Sequence, residues 1–283
     1  MNHIIGCLDG SIYAASVCDH AAWLAARLSG DVSLLHVLDH HREHASVADF
    51  SGAIGIDAND ALMAELIESE AARARLGLAK GRALLQEGAA RVRAAGAAVA
   101  TTQRHGSLVE TLTALETDET IVVLGKRGEA ADFATMHLGA NLERVARASR
   151  CPVLAAARGF RPIERVIIAH DGGASIRKAM TFAARSSLLR GMDVQILAVG
   201  TADAARHAQL EQAKVQAEAG GARVSTRIEP GEPEIVIARL AESEKFDLLV
   251  IGAYGHSRIR SLVIGSTTTA MLRSCRIPVL MFR

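Results

Sequence analysis

Aromatic residues are scarce in this chain: one Trp, two Tyr and six Phe make up 3% of 283 residues. That scarcity argues against the stacking platforms on which proteins hold unpaired bases. An excess of one charge is missing as well. Lys and Arg number 32 against 31 Asp and Glu, a formal net charge of +1. Neither nucleic acid nor an anionic membrane finds a footprint there. Cysteine is limited to Cys7, Cys18, Cys151 and Cys275. No CxxC pair occurs, so a zinc ribbon and a dithiol redox site are both unsupported. Scattered through apolar segments, the four are expected to be buried, reduced thiols. No run of about 18 uncharged apolar residues occurs, nor a charged-then-apolar leader at Met1. A cytoplasmic protein with no membrane contact is the resulting expectation.

What is present is a repeat. His3 to Leu8 is a short apolar run ending in Asp9-Gly10-Ser11, and Arg165 to His170 is another ending in Asp171-Gly172-Gly173. An alanine-rich segment of helical period follows each, 13–28 and 176–189. A glycine and an aspartate then introduce a second apolar run, 30–37 and 191–199. Val99 to Arg104 matches Val224 to Glu229, and Ile121 to Gly125 matches Leu248 to Gly252. Both halves close with a cysteine and a proline-started strand, Cys151-Pro152 and Cys275-Arg276-Ile277-Pro278. Proline is tolerated at the first residue of a strand. The joint falls near 158–162, giving domains 1–158 and 162–283. Strands alternating with helical patterns specify βαβ units and a parallel sheet, five strands per half. Near-continuous apolar strands fit sheets covered on both faces. In such sheets ligands sit beyond the strands' carboxyl ends.

Only the first half carries a long insertion, 39–96, with a helical pattern over 61–95. It either covers the first half's site or mediates assembly. The one histidine cluster, His36, His40, His41 and His44, runs from the end of the second apolar run into the insertion. His40 and His44 have the i, i+4 spacing of a metal pair, but the run reads better as a solvated loop, and no metal site is assigned.

The most informative stretch is Leu248 to Thr269, LLVIGAYGHSRIRSLVIGSTTT. Gly252 and Gly255 follow an apolar strand, and Gly265-Ser266-Thr267 opens a helix. The first N–H groups of a helix lack intrahelical partners and sit at the positive end of its dipole. With two hydroxyls added, the stretch forms a phosphate cradle at a strand end. The spacing G-x2-G-x9-G-[S/T] closely resembles the nucleotide-binding motif of the universal stress protein family. Through the repeat, the resemblance extends over essentially the whole chain. It implies two tandem open α/β domains, Rossmann-like and adenine nucleotide alpha hydrolase-like, packed as a pseudo-dimer. It also implies pairing through the terminal strands, 152–156 and 278–282, and raises the expectation of a homodimer.

Carried over by position, the resemblance implies that Asp171 and backbone at Val199 hold the adenosine end of ATP. Gly252, Gly255, Gly265, Ser266 and Thr267 then hold the phosphates, with His256 and Arg258 as cationic support and Mg2+ accompanying the nucleotide. Asp171 and its counterpart Asp9 read equally well as helix N-caps. The first half departs from the motif. Asp9, Gly125, Gly128 and Gly139 are there, but ten residues separate the last two glycines and Ala140 replaces the hydroxyl residue. Its loop carries Glu129 and Asp132, which repel a triphosphate by ~1–4 kcal/mol per close pair, an effect that Lys126 and Arg127 are placed to offset. The first half is therefore expected to be a degenerate site or to bind something else. HExxH, G-x-S-x-G and G-x4-G-K-[ST] are all absent. Fast ATP hydrolysis is not expected, slow turnover stays open, and no catalytic residue is assigned. A nucleotide-dependent stress regulator with a protein partner is the leading expectation. A nucleotide-free scaffold, and a slow ATPase or metal-binding enzyme, are the alternatives.

Overall fold

A computed structural model describes residues 2–38, 56–128, 139–253 and 266–283. In chain order the strands are β1 (His3–Cys7), β2 (Asp31–Leu38), β3 (Val99–His105), β4 (Thr120–Gly125), β5 (Val153–Ala156), β6 (Arg165–Ala169), β7 (Asp193–Val199), β8 (Arg223–Glu229), β9 (Leu248–Gly252) and β10 (Val279–Phe282). The helices are α1 (Ala14–Leu28), α2 (Ile56–Ala94), α3 (Leu108–Leu115), α4 (Ala140–Ala148), α5 (Ala174–Arg185), α6 (Ala204–Ala219), α7 (Pro233–Ser243) and α8 (Ser266–Ser274). None among the described residues is long and apolar enough to cross a membrane.

The ten strands form one sheet in the order β3-β2-β1-β4-β5-β10-β9-β6-β7-β8. Every pairing is parallel except β5 with β10, which is antiparallel with Leu154 opposite Leu280. The expected pseudo-dimer is thus a single continuous sheet. The terminal strands pair with each other inside one chain, so a homodimer through them would have to displace that ladder. Successive strand residues point to opposite faces, and each face has its own core. Ile4, Leu34, Val123, Leu154, Ile168 and Val250 meet α1, α2, α5 and α6. Ile5, Leu35, Val122, Val153, Ile167 and Leu249 meet α3, α4, α7 and α8. Each fully buried side chain of this size contributes about 1.5–3 kcal/mol, which explains why strands so uniformly apolar lie between helices on both sides. All four cysteines are buried and unpaired.

Helix α2, which belongs to the insertion, lies on the first half's sheet next to α1. Two glycines let it come close. A Cβ on Gly88 would stand 2.9 Å from Leu8 Cδ1 and 3.0 Å from both Cys18 Sγ and Leu34 Cδ1. One on Gly81 would stand 2.3 Å from Gln103 Nε2 and 2.4 Å from His36 Cδ2. Arg91 on α2 grips Asp19 on α1 in a bidentate pair of 2.6 and 2.8 Å.

Polar contacts tie the halves together beyond the β5–β10 ladder. Arg27 Nε at the end of α1 donates to Leu188 O at 3.0 Å, and Ser187 Oγ donates back to Arg27 O. Lys126, just past β4, is buried. Its ammonium donates to Cys275 O and, at 2.7 Å, to Ile277 O, at the far end of α8. This corrects the expectation that Lys126 offsets loop acids: its charge points into the interface between halves, toward carbonyls of the segment that leaves α8. Burial pulls its pKa down from the ordinary 10.5 to about 8.

Two predictions follow from this packing. Replacing Gly88 by Leu overfills the gap under α2 and should lower unfolding free energy by about 1–3 kcal/mol in a denaturant titration. Lys126 binds its proton more weakly in the folded than in the unfolded state, so its cost is fully present below pH 8 and fades between about 8 and 10.5. Measured as wild type minus Lys126→Met, stability should rise by about 3 kcal/mol over that window, at roughly 1.4 kcal/mol per pH unit. Cys7 and Cys18, pushed up to about 12 by burial, act in the opposite sense above pH 9 but cancel in the difference. A flat difference would show that the Lys126 charge is not desolvated.

Candidate functional site

In the first half β1 pairs with β2 on one side and β4 on the other, and in the second half β6 pairs likewise with β7 and β9. Strand order reverses at β1/β4 and at β6/β9, the switch points where open α/β sheets leave a crevice at their carboxyl edge. Asp9 and Gly125 flank the first crevice; Asp171 and Gly252 flank the second.

The two aspartates hold the same turn. Ser11 N donates to Asp9 Oδ1 at 3.2 Å, and Gly173 N donates to Asp171 Oδ1 at 2.9 Å. Between donor and acceptor sit Gly10 and Gly172, with φ of 71° and 74°, a conformation that favours glycine. Neither aspartate is a helix N-cap; those positions belong to Tyr13 and Gly173. The carboxylates fix the strand-to-helix turn instead.

The first-half residues converge. Gly139 N donates to Lys126 O at 3.0 Å, so the loop's two ends meet despite the longer spacing. A Cβ on Gly128 would lie 3.0 Å from Asp9 Oδ2, and one on Gly139 would lie 3.2 Å from Gly128 N. Gly125 ends β4 directly under Tyr13. Together they open onto a cavity of about 540 Å³ whose polar lining includes Asp9, His36, Lys80, Glu87, Arg127 and Asn141. Lys80 and Glu87 come from α2, so this helix of the insertion forms one wall of this site. His36 Nδ1 donates to Leu8 O at 2.8 Å, which fixes the ring against the end of β1. Cys7 also lines the cavity. Burial, and then the Asp9 charge, push its thiol up to about 12, so it stays protonated and unreactive at neutral pH.

In the second half the described predicted residues share one edge. Val199 ends β7, Gly252 ends β9, and Asp171 lies two residues past β6. Gly252 faces Ser175 and Ile176 at the start of α5. The carbonyl of Val199 already accepts from Arg206 at 3.3 Å, and Arg206 also donates to Thr201 O at 3.1 Å. Beside Asp171, a cavity of about 370 Å³ is lined by His170, Gly172, Arg177, Thr181 and Gln209. Burial lowers the His170 pKa, with Asp171 opposing, so the ring is neutral at pH 7. Ser266 and Thr267 begin α8. Gly255, His256, Arg258 and Gly265 lie outside the described residues, as do His40, His41 and His44. Among the described residues no group of His, Cys, Asp and Glu is arranged to hold a metal.

Lys80, Glu87 and Arg206 were not among the expected site residues. The helical pattern of the insertion announced a packed helix without saying which surface it would meet. Nothing in the repeat marked Arg206, which stands three residues after the N-cap Asp203.

Comparison with known proteins agrees with this architecture. The Universal stress protein family matches residues 1–156 and 192–283. Universal stress protein Slr1230 of Synechocystis sp. is 39% identical over 287 residues, covering 100% of both chains. Among solved structures, a universal stress protein from Archaeoglobus fulgidus has a TM-score of 0.69 at 21% identity, covering 100% of this chain and 98% of that one. A second, from Pseudomonas aeruginosa, has a TM-score of 0.62 at 16% identity, covering 100% and 93%. With a family match over most of its length and a full-length relative at 39% identity, the chain belongs to the universal stress protein family.

Proposed function

We propose that the chain is a stress-response regulator that binds ATP, with Mg2+, at the carboxyl edge of its second domain. The observation that carries this reading is the common edge of Asp171, Val199 and Gly252 at the β6/β9 switch point, beside a helix that starts at Ser266. The glycine spacing between Gly252 and Gly265 supports phosphates as the ligand's anionic end. In this reading 162–283 is the nucleotide domain and 1–158 its regulatory counterpart. Buried, unpaired cysteines support a cytoplasmic setting. The nucleotide acts by favouring one conformation, or one contact with a regulatory protein, over another through differential affinity.

A second ligand has support in the first domain. Its cavity is formed, walled by α2, and carries Asp9 and Glu87 beside Lys80 and Arg127. Two carboxylates in that lining disfavour a triphosphate and suit a ligand of low net charge.

Calorimetric titration of ATP with Mg2+ tests the assignment. Wild type should bind near one equivalent per chain at micromolar affinity, about −8 kcal/mol. Gly265→Asp, which places a negative charge where the phosphates lie, should abolish binding, while Gly128→Asp should leave it intact. Binding that survives Gly265→Asp but not Gly128→Asp would move the site to the first domain. No binding to nucleotide-stripped wild type would favour the scaffold reading.

A further inference from the structure

Helix α5 packs on the sheet through Ile176, Ala179, Met180 and Ala183. Its outer face, with Arg177, Lys178, Thr181 and Arg185, is exposed and lines a groove of about 800 Å³ between the halves. The first half supplies Asn2, Asp118 and Glu119, and Leu28 and Phe182 add apolar surface. One wall is thus basic and the other acidic. Among the described residues the side chains of Lys178, Arg185 and Asp118 make no ion pair or hydrogen bond.

The groove is built before anything enters it. Asp118 and Glu119 are the middle of a turn closed by Thr120 N, which donates to Thr117 O at 3.0 Å, and His3 N donates to Glu119 O at 3.0 Å. Arg177 donates to Gly172 O. Arg27 donates to Leu188 O and Ser187 O at 3.0 and 3.2 Å, tying the end of α1 to the segment after α5. A preformed groove spares its ligand the cost of ordering it. The charges are not a by-product of the repeat. Counted from Asp9 and Asp171, the positions of α1 that match Arg177, Lys178 and Arg185 are Ala15, Ser16 and Trp23. Counted from Ile121 and Leu248, Asp118 and Glu119 are matched by Lys245 and Phe246. Sheet packing, which the halves share, does not require them.

We propose that this groove binds an extended segment of a partner protein in which acidic and basic residues alternate. Successive side chains of an extended chain point to opposite sides, so the acids turn to α5 and the bases between them turn to Asp118 and Glu119. The lengths agree. Arg177 and Arg185 are eight residues apart, about 12 Å along the helix, and residues i and i+4 of an extended chain are about 13 Å apart. An acid at i meets Arg177 and Lys178, one at i+4 meets Arg185, and one at i+2 reaches the Thr181 hydroxyl. A small molecule fits less well, because such sites bury most of the ligand's surface and here the bases are exposed. A purely acidic segment is repelled by the second wall. Arg177 and Thr181 also line the cavity beside Asp171, which sets the partner next to the proposed nucleotide edge. The inference deepens the reading that the chain contacts a regulatory protein, by naming the surface.

Fluorescence anisotropy of the full chain with labelled peptides, in low salt and without nucleotide, tests this. Glu-Lys-Glu-Lys-Glu should bind, and Glu-Glu-Glu-Lys-Lys, of the same composition and charge, should bind about tenfold more weakly. Arg177→Glu with Arg185→Glu should lose the alternating peptide. Asp118→Lys with Glu119→Lys should lose it too, and should bind a peptide of five glutamates about tenfold more tightly than wild type does. All four residues are exposed, and far-UV circular dichroism checks that each variant keeps its fold. No binding of the alternating peptide, equal binding of the block peptide, or binding that survives either variant would overturn the proposal. Binding of inorganic phosphate, lost in the arginine variant, with none of the peptide would overturn it as well, by making a small anion the occupant. Because ATP is absent throughout, failure here leaves the nucleotide assignment standing, and failure of the ATP titration leaves this one.

Discussion

The antiparallel ladder between β5 and β10 sets the geometry of the whole molecule. Each half alone would end in an exposed strand four residues long and apolar throughout, a ready template for aggregation. Pairing them removes both edges and merges two five-stranded sheets into one with a shared core on each face. Because the ladder is antiparallel while every other pairing is parallel, the carboxyl ends of the two halves point in opposite directions. The two candidate crevices therefore lie on opposite edges of the sheet. Lys126 sits on the first-half glycine loop, yet it holds Cys275 and Ile277, the far end of the helix whose start borders the second crevice. One helix, α8, thus spans from one candidate site to the loop of the other.

Much of this was legible in the sequence for a simple reason. Strands buried on both faces read as uninterrupted apolar runs, and the repeat let each half confirm the other. Asp9 and Asp171 were placed correctly at the strand ends, because a switch-point crevice follows from strand order. Their bonding was not legible: a carboxylate before a helix suggests a cap, and only the positive φ of Gly10 and Gly172 turns it back onto the turn itself. Lys126 was misread because sequence position put it beside the loop, while the direction of its side chain depends on a segment 149 residues away. The insertion was the hardest part. A stripe of apolar residues specifies that a helix packs, not on what. Gly81 and Gly88 acquire meaning only once His36, Leu8 and Leu34 are seen beneath them.

The two crevices, built on one plan, differ in what walls them. In the first half α2 brings Lys80 and Glu87 to the cavity that Asp9 and Arg127 also line. The second half has α6 in the place of α2, sixteen residues against thirty-nine, and its edge carries Arg206 bound to the carbonyl of Val199. That arginine makes the second edge more favourable for an anion, and its occupation of the carbonyl means a base stacking there would meet a guanidinium rather than a bare backbone acceptor. The same fold thus presents one edge walled by α2, with two acids beside two bases, and one whose strand-end carbonyl is already held by an arginine. The proposed division between a low-charge ligand and a nucleotide draws on that difference together with the spacing of the glycines.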